Sequence, residues 1–217
     1  MPTQYALEQM VEQQVRAWDV LDPRILDVLR TVPRELFVPA PWRELAFADS
    51  DIALPCGKRM LRPMMVGRLL QTVAVRTGEQ VLEVGTGSGY LSACLAKLGG
   101  QVRSLELHPQ LADAASANLR AATPQLPVEV INADGMLLAD ESRYDVIVLT
   151  ASLPIYQQRF QRALRPGGRL FVIVGDGDLQ QAMLVERVTE REWNSAVRFE
   201  THIEPMEHAP RPPEFGF

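Results

Sequence analysis

The chain has 217 residues, an apolar fraction of 47% and a net charge of −5 from 22 Lys plus Arg against 27 Asp plus Glu. That composition supports one large domain with a sizeable core, excludes wholesale disorder, and disfavours general nucleic-acid binding because the surface repels polyphosphate. Two cysteines, Cys56 and Cys94, are too few for a disulfide framework or a Cys-based zinc site, and no apolar stretch approaches a membrane span.

In chain order, Ala6 to Val20 reads as an amphipathic helix with Leu7, Met10, Val11, Val15 and Trp18 on one face. Its acidic residues Glu8 and Glu12 fit neither a signal nor a transit peptide, so a cytoplasmic setting is expected, with no nucleic-acid or membrane partner and no metal. Asp22-Pro23 opens a second helix that ends near Thr31, ahead of Pro33. Prolines at 33, 39, 41, 55 and 63 make the next stretch mostly irregular, with a short strand around Asp51 to Leu54. Pro63 starts a third helix, Met64 to Val75.

From Gln80 five apolar runs, at 81–84, 102–107, 128–131, 144–150 and 168–174, alternate with helical stretches at 91–98, 109–121 and 154–164. Such alternation implies a doubly wound α/β fold, with a mostly parallel sheet covered on both faces. Residues 179–190 and 194–203 read as an antiparallel hairpin, and 205–217 as a proline-rich extended tail. The organisation is therefore N-terminal helices and a substrate-side loop (1–63), a ligand-binding domain (64–204) and a tail (205–217).

The strongest local signal is Glu83-Val84-Gly85-Thr86-Gly87-Ser88-Gly89-Tyr90, where a strand ends and a helix begins. Glycines at every second position let the backbone turn tightly and approach a ligand closely. A dinucleotide fingerprint places its third glycine one residue later, and Glu83 repels a pyrophosphate. An acidic loop suits a ligand with an amino group and a sulfonium, which is S-adenosylmethionine. Glu106, followed by Leu107, ends the second strand about 20 residues on, where an acid receives ribose hydroxyls. Asp134-Gly135 follows the third strand, at the expected adenine edge. The candidate cofactor residues are thus Glu83, Gly85, Thr86, Gly87, Ser88, Gly89, Tyr90, Glu106, Leu107, Asp134 and Gly135.

These motifs resemble the protein-L-isoaspartate O-methyltransferase family. The glycine loop looks like that family's VLEIGTGSGY, and Thr31 to Pro39 is similar to its VPRE-FVP segment. Ala46-Phe47-Ala48-Asp49 with Leu54-Pro55, Ala133-Asp134-Gly135 and Thr150-Ala151-Ser152 resemble further family motifs. The resemblance covers about residues 5 to 175. It implies a Rossmann-like class I methyltransferase fold with a seven-stranded sheet, S-adenosylmethionine as cofactor, and a protein carboxylate as acceptor.

The family's G-Q-T-I-S-Q-P is here Gly57-Lys58-Arg59-Met60-Leu61-Arg62-Pro63, so Leu61 stands at the position of a serine associated with catalysis. A leucine donates no hydrogen bond. Arg59 and Arg62 are new cations in the same loop and are candidates for holding an acidic acceptor. A carboxylate acceptor, with a pKa of ~4, is already ionised at pH 7 and asks for no general base. Three readings stay open: an isoaspartyl methyltransferase, a methyltransferase of the same scaffold with another anionic acceptor, protein or small molecule, and a catalytically silent cofactor-binding protein.

Overall fold

The computed structural model describes residues 2–213. The first helical segment begins as α1 (Pro2–Gln9), widens into a π turn at Met10–Val15 and closes with a tight turn at Arg16–Trp18. It starts earlier than its sequence pattern suggests and stops at Asp19, which adopts a left-handed conformation at φ 60°. The widened turn carries the buried Met10, Val11 and Val15. In α2 (Pro23–Thr31) the Asp22 side chain accepts the Arg24 amide at 2.9 Å and Pro23 fills the first turn, as expected for a capped start.

The proline-rich stretch forms tight turns and one small hairpin, β1 (Ile52–Ala53) against β2 (Arg59–Met60). The sequence suggests only the first of these strands. The chain reverses between them because Cys56 and Gly57 both take positive φ, 59° and 70°, and a lone positive-φ cysteine leaves no sequence signal. Helix α3 (Pro63–Val73) follows.

Five strands, β3 (Gln80–Val84), β4 (Gln101–Glu106), β5 (Val128–Asn132), β6 (Tyr144–Leu153) and β7 (Leu164–Val174), run parallel. Their crossovers carry α4 (Tyr90–Lys97), α5 (Pro109–Ala122) and α6 (Gln158–Ala163). The antiparallel hairpin β8 (Gln180–Arg187) and β9 (Trp193–Thr201) extends one edge. The order is β5-β4-β3-β6-β7-β8-β9, so the sheet changes its direction of growth at β3.

Side chains alternate between two cores, as strand pleating requires. Val81, Val146, Val148, Phe171 and Ile173 face α3, α4, α5 and the N-terminal segment, whose Met10, Ile25, Leu29 and Phe37 share that cluster. Leu82, Ile147, Leu149, Leu170 and Val172 face Phe160 and Ala163 of α6. Each such fully buried side chain contributes roughly 1.5–3 kcal/mol over exposure. Among the described residues no helix is long and apolar enough to cross a membrane.

The region after β9 corrects the expectation of a plain extended tail. Pro205 bridges Ser152, whose amide donates to the Glu204 carbonyl at 3.0 Å and whose carbonyl accepts the Met206 amide at 2.8 Å. Met206 and Ala209 pack on the second core. The chain thus returns across the carboxyl ends of the parallel strands. Residues 214–217 lie outside the described residues.

Candidate active site

A cavity of about 350 Å³ opens at the carboxyl ends of β3, β4, β5 and β6. Open α/β sheets bind ligands at this kind of place, beside the strand where the order reverses, and the volume is in the range of small-molecule sites. One wall is the glycine loop. Gly85 (φ 97°), Gly87 (φ 55°) and Gly89 (φ 86°) all need the left-handed region. A Cβ on Gly85 would run into Thr150 Oγ1, which donates to the Gly85 carbonyl at 2.7 Å. A Cβ on Gly135 would run into Val84.

Of the expected cofactor residues, Glu83, Gly85, Thr86, Gly87, Ser88, Tyr90, Glu106, Leu107, Asp134 and Gly135 all line this one cavity. Gly89 does not. It starts α4, and a Cβ there would meet the Ala115 carbonyl and Leu119 of α5 at 3.3 Å. Its service is close helix packing, although it comes one residue earlier than the packing glycine of a dinucleotide loop.

Glu83 is fully buried. Its Oε2 accepts from Ser92 Oγ and, at 2.6 Å, from Ser104 Oγ, which in turn lies 2.6 Å from Thr86 Oγ1. Its Oε1 has no partner among the described residues. Burial pushes the carboxyl up to about 7 against the two serine hydrogen bonds, with Glu106 adding to the rise. Glu83 therefore organises the loop from beneath and carries less negative charge than an exposed acid. Glu106 holds the loop from the side: Oε2 accepts the Gly87 amide at 2.9 Å and Oε1 the His108 amide at 3.1 Å. Asp134 caps a short turn by accepting the Met136 amide, while its other oxygen lies 2.7 Å from His208 Nδ1.

The opposite wall is the β1/β2 hairpin and the returning tail. Leu61 lines the cavity, and its carbonyl accepts from Arg34 at 2.8 Å. Arg34 is fully buried, also donates to the Ala46 carbonyl at 2.8 Å, and stacks 4.8 Å from the centre of the Tyr90 ring. Burial lowers its affinity for its proton. Arg34 thereby ties the hairpin to the first residue of α4. Its place inside the Val32 to Pro39 motif is the only sequence signal for that function.

Arg59 and Arg62 both line the cavity, but neither is the unneutralised cation its loop suggests. Arg62 is clasped to Asp51 of its own hairpin at 3.0 Å, and Arg59 meets Glu204 of the tail at 3.3 Å. Lys58 pairs with Glu207, which also lies 3.0 Å from His108 Nε2. Lys58 and His108 hold the Glu207 carboxyl below its ordinary range. The tail residues Glu204 and Glu207 are the part of the site that local sequence reasoning misses, because only tertiary folding carries them there. Among the described residues no group of three or more His, Cys, Asp or Glu could hold a metal ion.

This sheet with its switch-point cavity is the architecture of an S-adenosylmethionine-dependent class I methyltransferase. A chain from Plasmodium falciparum solved with S-adenosyl-L-homocysteine has the same fold, with a TM-score of 0.79, 18% identity, and 94% of this chain and 97% of that one covered. A solved protein-L-isoaspartate O-methyltransferase gives a TM-score of 0.75 at 21% identity over 92% of this chain and 65% of that one. In sequence, residues 6–205 match the family described as protein-L-isoaspartate(D-aspartate) O-methyltransferase. The relative from Koribacter versatilis is 35% identical over 87% of this chain and 86% of its own, and that from Methanoculleus marisnigri 38% over 86% and 85%. The chain belongs to the protein-L-isoaspartate O-methyltransferase family.

The lining fits the family's cofactor. Glycine conformations bring loop backbone to the cavity wall, and each oxygen of Glu106 keeps a lone pair beyond its amide.

Proposed function

We propose that the protein transfers a methyl group from S-adenosylmethionine to a carboxylate of a protein or peptide acceptor. The observation that carries this reading is one cavity with two unlike ends. The glycine loop, Glu106 and Asp134 form one, and the Lys58 to Arg62 segment with the tail forms the other. Bound S-adenosylmethionine supplies an electrophilic sulfonium methyl.

The chain's own residues bind and align. Glu106 accepts from the ribose hydroxyls, Asp134 faces the adenine edge, and loop amides with Glu83 meet the amino-acid end. His208 must then share Asp134 with the adenine. Leu61, Met60 and Val66 supply an apolar part of the lining beside the charged groups. Arg59 and Lys58 orient an acceptor carboxylate. No side chain is assigned as a base, because the acceptor is already ionised at neutral pH.

Isoaspartyl carboxylates are the family's acceptors. Leu61 in place of a hydroxyl supports a second anionic acceptor as the alternative. Labelled methyl transfer to an isoaspartyl peptide, run on the wild type and Leu61→Ser, separates the two. Turnover near that of family members supports isoaspartyl repair. Turnover lower by about 10²–10³-fold, the size of one lost charge-stabilising donor, with only modest gain in Leu61→Ser, favours the alternative. Failure to bind S-adenosylhomocysteine sinks both.

A further inference from the structure

The cations at the acceptor end are already occupied by carboxylates from elsewhere in the chain. Arg59 lies against Glu204 at 3.3 Å, and Lys58 against Glu207. All four residues line the cavity. Glu204 and Glu207 flank the Pro205 bridge to Ser152, so backbone hydrogen bonds to the end of β6 fix where these carboxylates sit. Meanwhile the Arg59–Glu204 pair is open to water, with side chains 58% and 48% exposed. Exposed ion pairs of this kind are weak and are readily exchanged.

We propose that the Glu204 carboxylate is an internal stand-in for the acceptor's carboxylate. It occupies Arg59 until an anionic acceptor displaces it, and Glu207 does the same more firmly at Lys58. This inference rests on the reading that the acceptor is anionic. A tethered carboxylate competes like a free one at roughly millimolar concentration. Simple carboxylate anions at lower concentration are therefore shut out. An acceptor that adds peptide contacts in the cleft exchanges with Glu204 and gains the guanidinium fork. The tail thus sets a threshold for acceptor entry, and removing one carboxylate lowers it.

The test is calorimetry on the protein saturated with S-adenosylhomocysteine, with an isoaspartyl peptide and succinate as probes. Glu204→Gln should bind both about threefold more tightly than the wild type, the scale of one exposed ion pair. The gain should vanish in an Arg59→Ala background, because the two residues act through one contact. Glu200→Gln removes an equal charge from β9 outside the cavity and should change nothing. Equal binding by the wild type and Glu204→Gln overturns the stand-in role and leaves the anionic-acceptor reading intact. A gain that persists without Arg59, or that Glu200→Gln reproduces, also overturns it, since the effect is then general electrostatics. Binding of neither probe to any of these proteins, with S-adenosylhomocysteine affinity intact, overturns the anionic-acceptor reading and this inference with it.

Discussion

The two ends of the cavity are built on opposite physical principles. The cofactor end is made of buried groups at the tips of four parallel strands. Glu83, Thr86 and Ser104 form a hydrogen-bonded unit under the loop, and Glu106 grips the loop amide. The acceptor end is a two-residue-per-strand hairpin and a returning tail, fastened mainly by partly exposed ion pairs at Asp51, Glu204 and Glu207. Buried networks tolerate little change because each unmade bond carries a full desolvation cost, whereas exposed pairs can be exchanged at little cost. A family can therefore keep its cofactor chemistry while its acceptor end drifts, and Leu61 lies on the drifting side.

The largest effect is expected where the cofactor end leaves no room. Gly87→Val places a β-branched residue at φ 55° and 3.3 Å from Leu54. A non-glycine residue in that region costs about 1–3 kcal/mol before any clash. Calorimetry should show S-adenosylhomocysteine affinity falling at least a hundredfold while circular dichroism stays native. Near-wild-type affinity would mean that the loop does not hold the cofactor as described.

Arg34 is the joint between the two ends, so its loss should damage both. Arg34→Met leaves the Ala46 and Leu61 carbonyls without their donor, at about 1–3 kcal/mol per buried unsatisfied group. Urea denaturation should show stability reduced by roughly 3 kcal/mol, with a higher acceptor KM in the folded fraction. If the variant unfolds like the wild type, the hairpin is anchored by other contacts.

Glu83 gives the cofactor end a pH signature opposite in direction to that of Glu207, whose carboxyl is lowered at the acceptor end. The Glu83 carboxyl is raised in the folded state from the ordinary 4.5 to about 7. Between those values the folded protein holds a proton that the unfolded chain has released. The contribution is fully present below pH 4.5 and is lost as pH rises through 7. Denaturation midpoints measured without cofactor at pH 5 and pH 8 should show this decline, on the order of 2–3 kcal/mol. Glu83→Gln should flatten it, and an unchanged pH profile in that variant would assign the decline to other groups.

The smallest effect belongs to the acceptor end. Arg62→Ala breaks a partly exposed pair with Asp51 and should cost less than ~1 kcal/mol of stability. S-adenosylhomocysteine affinity should stay within about twofold. A tenfold loss of that affinity would erase the contrast between the two ends.

Much of the cofactor end is legible in the sequence because it is local. A strand, three alternating glycines and a helix specify the loop's conformation within eight residues. Glu106 follows from being the last residue of β4, and Asp134 from lying two residues past the end of β5. Gly89 is misread as ligand-facing, since its φ resembles that of its neighbours and only the position of α5 reveals what it touches. Arg59 and Arg62 are legible as positions and not as charges, because Glu204 reaches Arg59 from 145 residues away and Asp51 reaches Arg62 from 11.

The amino-acid sequence by itself determines the alternation of strands and helices, the parallel sheet, the glycine cradle and the family. These depend on side-chain periodicity, turn stereochemistry and short motifs, all local in the chain. Tertiary structure alone decides that Arg34 joins the hairpin to α4, that Glu83 is buried enough to hold its proton near neutrality, and that the tail returns to lay Glu204 and Glu207 on Arg59 and Lys58. Ion pairing and desolvation depend on distance in space between groups far apart in the chain, and the packing of the whole sheet sets that distance.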